Sequence, residues 1–162
     1  MDLFLEILKL ATVGLISGFF AANMATRLHI NKKWWELRVE AYKSLIEALA
    51  DLNYYYGTRI SAEVHGRELK KEEETELKKI LDDNYYKVKK TVYSGGFLFS
   101  DAVHEALRDF MKFKNINHEF YVDYLIDNSS AVNDCLDKIV LLAKKDLSIK
   151  DNIWFKFLRI GI

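Results

Sequence analysis

The chain has 162 residues, with 24 basic and 24 acidic side chains, no proline and a single cysteine. That balance removes the basic excess on which a nucleic-acid partner depends, and the lone Cys135 excludes an internal disulfide, as suits a reducing compartment. Without proline, and with few glycines after residue 30, the chain favours long helices over a turn-rich β fold.

The first 30 residues organise the rest. From Leu10 to Thr26 no Asp, Glu, Lys or Arg interrupts the chain for 17 residues, roughly 25 Å as a helix and at the lower limit for crossing a bilayer. Counting back to Leu3 lengthens the run but takes in Glu6 and Lys9, which are three apart and can pair on one helix face. A buried core helix needs fewer apolar residues. A cleaved signal peptide would carry a positive start and a small-residue cleavage site, whereas this start carries Asp2 and Glu6. The expectation is a single transmembrane anchor over residues 1–30. Arg27, Lys32 and Lys33 follow it closely, so the positive-inside rule sets the N-terminus outside and the following domain in the cytoplasm, in a single-pass inner-membrane topology. Gly14, Ser17, Gly18, Ala21, Ala22 and Ala25 repeat small residues at spacings of four, a strip on which two membrane helices can approach closely and self-associate.

Residues 31–152 read as a charged helical bundle. From Trp34 to Tyr56 the apolar residues recur at helical spacing, with Trp35, Tyr42, Leu49 and Tyr56 seven apart and Arg38, Glu40, Lys43, Glu47 and Asp51 on the other side. Asn31 is a candidate cap for this helix, which follows the anchor closely enough to form one near-continuous rod. Trp34 and Trp35 suit headgroup level, with one of them wet and one buried. The pattern weakens over Gly57 to Arg67, where His65-Gly66 reads as a turn. A second helix is expected from about Glu68 to Tyr93, its mixed-charge first half a solvated face. Ser94-Gly95-Gly96 ends it. Phe97-Leu98-Phe99 then enters the core or lies on a membrane, and Ser100 caps a third helix ending near Lys114 to Asn117. A short aromatic helix, His118 to Ile126, is followed by a break at Asp127-Asn128-Ser129-Ser130 and a last helix from Ala131 to Leu147. The tail, 153–162, places Lys156 and Arg159 among large apolar residues such as Trp154, which suits either a membrane interface or a final core segment. Of the consecutive Tyr54, Tyr55 and Tyr56, one or two must face outward.

No catalytic motif emerges. His104-Glu105-Ala106-Leu107-Arg108 begins like the zinc-protease signature but has Arg where the second His is required. His29, His65 and His118 show no metal-ligand spacing. Cys135 sits on an apolar helical stripe, the place of a small core residue. Gly95-Gly96 lacks the lysine and further glycines of a phosphate loop. Neither a cofactor nor an enzymatic activity is expected.

Three segments carry a resemblance: Trp35-Glu-Leu-Arg-Val-Glu-Ala-Tyr-Lys-Ser-Leu-Ile-Glu-Ala-Leu49, Gly95-Gly-Phe-Leu-Phe-Ser100, and Ala143-Lys-Lys-Asp-Leu147. In this order they resemble a group of uncharacterised bacterial proteins of similar size, many with an N-terminal membrane segment. The resemblance spans roughly residues 34–147 and brings no catalytic residues. It implies an anchored helical protein, a kind associated with membrane effectors of bacterial anti-phage systems. The fold expected is all-α, one N-terminal transmembrane helix leading into an up-down bundle of about four helices. The function expected is a membrane-anchored interaction module in contact with lipid, self-associating as a homo-oligomer and binding a protein partner through the bundle. A non-lytic sensor or scaffold is the alternative.

Overall fold

The computed structural model describes residues 2–94, 97–113 and 120–148, with side chains described for 14–15, 17–93, 97–112 and 120–148. Among them are four helices and no strand: α1 Asp2–Val64, α2 Lys71–Ser94, α3 Asp101–Phe113 and α4 Tyr121–Leu147. The chain divides into two units after Leu37.

The helical bundle lies in the second unit. Its core is a seam of α1, Tyr42, Leu45, Leu49, Leu52 and Tyr56, clustered with Val88 of α2, Val103 and Leu107 of α3, and Leu125, Val132, Ile139 and Ala143 of α4. Spacings of three, four and seven put the residues of α1, α3 and α4 on one face of each helix, which buries that stripe and leaves its charges in water. Leu77 and Val88 of α2 and Val132, Cys135 and Ile139 of α4 turn inward, and the triple tyrosine splits as helical geometry requires: Tyr54 exposed, Tyr55 half-buried, Tyr56 buried.

Local chemistry explains the ends. α1 runs through Gly57 and stops at Val64, where Gly66 adopts φ 59° and the Arg67 amide reaches back to the Ala62 carbonyl at 2.9 Å. Glycine takes that left-handed conformation without a Cβ penalty. At the start of α2 the Glu73 carboxylate accepts the Lys70 amide at 3.1 Å, and Glu72, Glu73 and Glu74 occupy the first turn, where the helix dipole favours negative charge. At α3 the Ser100 carbonyl receives the amides of Val103 and His104.

Four expectations need correction. Among the described residues, no helix is long and apolar enough to cross a membrane. The single-pass anchor over 1–30, the N-out inner-membrane topology and the cytoplasmic placement built on it therefore fall. The uncharged run is short, and Arg27, His29, Asn31, Lys32 and Lys33 follow it at once. Asn31 caps nothing, because α1 passes straight through it. Trp34 and Trp35 are not one wet and one buried; both are close to half exposed. The break at Asp127–Ser130 does not occur either. α4 is continuous because Asn128 is buried and turns its amide onto the Tyr124 carbonyl one turn back, at 2.7 Å, spending locally the hydrogen bond that would otherwise favour a turn.

Candidate functional site

α1 between residues 14 and 37 is the candidate site. Every side chain described there is exposed. Nine of them are large and apolar: Leu15, Phe19, Phe20, Met24, Leu28, Ile30, Trp34, Trp35 and Leu37, ranging from 76% exposed at Leu15 to 45% at Trp35. At 100° per residue they cover roughly 220° of the helix circumference, and Gly14, Gly18, Ala21, Ala22 and Ala25 fill the remaining sector, an apolar face too wide to be left in water. Together they present on the order of 1,000 Å² of apolar surface, against the few hundred that a monomer ordinarily shows in one patch.

The expected small-residue strip lies on this stretch. Gly14, Ser17, Gly18, Ala21, Ala22 and Ala25 are all exposed, and a methyl added at Gly14 or Gly18 meets open space. The polar groups nearby are largely satisfied within the helix: Ser17 Oγ donates to the Gly14 carbonyl at 3.1 Å and Thr26 Oγ1 to the Ala22 carbonyl at 2.9 Å. Arg27, Lys32, Lys33 and Trp34 follow on the same helix, with Lys32 pairing Glu36 at 3.8 Å. Such an exposed i,i+4 pair contributes only a few tenths of a kcal/mol, about 0.3–0.5. Trp154, Lys156 and Arg159, expected at a membrane interface, lie outside the described residues.

In the bundle a second cluster forms that sequence spacing does not announce. Arg38 Nε donates to the Leu98 carbonyl at 3.0 Å, and its guanidinium lies 3.7 Å from the Asp146 carboxylate. The Tyr42 hydroxyl donates to that same carboxylate, while the Tyr42 ring packs edge-on against Phe99 with centroids 4.9 Å apart. Burial, reinforced by the Asp146 charge, pushes the Tyr42 phenol up to about 12. Burial pushes Asp146 upward too, but the Tyr42 hydrogen bond and the Arg38 guanidinium outweigh it and hold the carboxyl below its usual value. Three separate stretches of sequence supply Arg38 and Tyr42, Leu98 and Phe99, and Asp146. Their common location is this clamp, which ties α1 to the start of α3 and the end of α4.

An aromatic cluster sits further along α1. Arg59 donates to the Tyr121 hydroxyl at 3.0 Å and pairs Glu74 at 3.6 Å; Tyr121 stacks on Tyr124, and Tyr124 meets Tyr56 edge-on. Burial raises the Tyr55 phenol to about 12, and the tyrosines nearby reinforce it. Raised in this way, the Tyr55 phenol keeps its proton at physiological pH, and the cluster serves as packing with polar tips.

Among the described residues no reacting group stands out. Cys135 is buried and burial pushes its thiol up to about 12, away from the thiolate that nucleophilic chemistry needs. Among the described residues no group of three His, Cys, Asp or Glu could hold a metal ion. His104 is half-buried against the Phe99 ring, with centroids 6.2 Å apart. A hollow of about 320 Å³ between α3 and α4 is lined by Asp109, Asp127, Asp134 and Lys138 over Cys135 and Phe110. No family model, curated protein or solved structure matches the chain.

Proposed function

We propose that this chain is a helical interaction module, engaging a protein partner through residues 14–37 of α1. The observation that carries the reading is the set of nine large apolar side chains exposed there. Leaving such surface in water forgoes about 25 cal/mol per Å², a driving force for association that the charged faces of α2 lack. The buried core of the bundle, from Tyr42 to Ala143, contains none of these side chains. The clamp at Arg38, Tyr42 and Asp146 fixes where α1 enters that core.

The test is photo-crosslinking in cells of the full chain, with the photoreactive side chain at Phe19 or Met24 and a control at the exposed Lys79. Protein adducts at 19 and 24, absent at 79, are expected. Adduct yields no higher at 19 and 24 than at 79 would refute the module.

A further inference from the structure

We propose that the occupant of this stretch is the same stretch of a second copy, running antiparallel. This rests on the interaction-module reading and names its partner. Along α1, residues 14, 17, 21, 24, 28, 31 and 35 fall at alternating spacings of three and four, the seam of a two-helix coil. Over about 32 Å this seam is graded in size. Gly14, Ser17 and Ala21 form its small end and Leu28 and Trp35 its large end, with Met24 between them and the smaller, polar Asn31 set between Leu28 and Trp35.

A graded seam discriminates between orientations. Parallel copies in register would set Trp35 against Trp35 and Gly14 against Gly14, crowding one end and leaving a void at the other. Antiparallel copies set the small end of each against the large end of the other along the whole length, the alternation that fills an interface to native density. The face is then self-complementary, as a two-fold contact requires. An unrelated partner has no reason to match the gradient; a second copy matches it by construction. Burying the Ser17 hydroxyl costs little, since it already donates within its own helix at 3.1 Å.

The area also suffices. If each copy covers half of its exposed apolar surface, the pair removes about 1,000 Å², the threshold for a specific interface. A single seam of this size gives a dimer that forms reversibly with concentration.

The experiment uses the full chain in a Cys135→Ser background. Sedimentation should give twice the 19.0 kDa chain mass, and Met24→Glu should weaken the dimer at least about tenfold. Because Met24 lies outside the core, Met24→Glu should leave helicity and Tm unchanged. Mixing Ser17→Cys with Leu28→Cys, or with Trp35→Cys, should give disulfide-linked dimers in severalfold excess over Ser17→Cys alone. Two copies of position 17 lie roughly 15 Å or more apart in the antiparallel pair, beyond disulfide reach. Efficient linkage of Ser17→Cys to itself would overturn the orientation. A monomer that still photo-crosslinks at Phe19 to a different protein would overturn the second copy while leaving the interaction module standing. Absence of any adduct would remove both.

Discussion

Tyr42→Phe isolates one hydrogen bond in the bundle. The Tyr42 side chain is almost wholly buried, and its hydroxyl donates to Asp146, whose side chain is 14% exposed. A hydrogen bond to a charged acceptor is worth about 1.5–3 kcal/mol. Phe keeps the ring and its edge-on contact with Phe99, so the loss should fall in that range, roughly 6–12 °C in Tm for a domain of this size. The pH profile carries the diagnostic. Asp146 has a lowered folded pKa, so its contribution is complete above the ordinary carboxylate range and is lost as pH falls through the folded value. The gap between wild type and Tyr42→Phe should therefore narrow below about pH 4. At the alkaline end the phenol titrates near 12 in place of 10, so its contribution persists to about pH 10 and is lost between there and 12. Urea denaturation at pH 7 and at pH 3, repeated on Asp146→Asn and on the double variant, measures the coupling directly. A difference below about 0.5 kcal/mol at pH 7, or one indifferent to pH, would refute the clamp.

The Cys135 thiol, buried and titrating near 12, should react with a disulfide reagent at neutral pH orders of magnitude more slowly than a free thiol and recover full reactivity in denaturant; fast reaction of the native chain would contradict its placement. Gly66→Ala adds a methyl in open space but at φ 59°, so only backbone strain is felt, and urea titration should show a loss of about 1 kcal/mol with m unchanged.

The helical class and the inward faces were legible because period and burial coincide: Leu77 and Val88 in α2, and Val132, Cys135 and Ile139 in α4, fall at spacings that only one helix face satisfies. Continuity of α4 was hidden because Asp127-Asn128-Ser129-Ser130 has the composition of a turn, while burial of Asn128 and its bond to Tyr124 override local preference. The clamp was hidden for a different reason. Tyr42 and Asp146 are 104 positions apart, and neither residue is unusual for the helix face it occupies. The membrane span failed on length and charge together. Apolar composition over residues 10–26 says that α1 needs cover; it does not say whether lipid or protein provides it. Of the six small residues expected to form a strip, Gly14, Ser17 and Ala21 fall at one end of the proposed seam, whereas Gly18, Ala22 and Ala25 lie off it.

The apolar residues of α1 outnumber what one neighbour can cover. Leu15, Phe19, Ile30 and Leu37 project within about 60° of one another at 100° per residue, on the side of the helix away from Ser17, Met24 and Leu28. A pair joined along the seam leaves roughly 500 Å² of apolar surface per copy on that outer face, near the upper end of what single chains expose. The dimer should therefore associate further as concentration rises, through contacts that do not involve the seam. Phe19→Lys, at a residue 70% exposed, should suppress this second step and leave the dimer Kd within about threefold of wild type, because additivity holds for sites that share no partner. Sedimentation velocity across a hundredfold concentration range separates the steps. If Phe19→Lys weakened the dimer as strongly as Met24→Glu, the two residues would share one face, and the seam drawn through Met24 would be the wrong one.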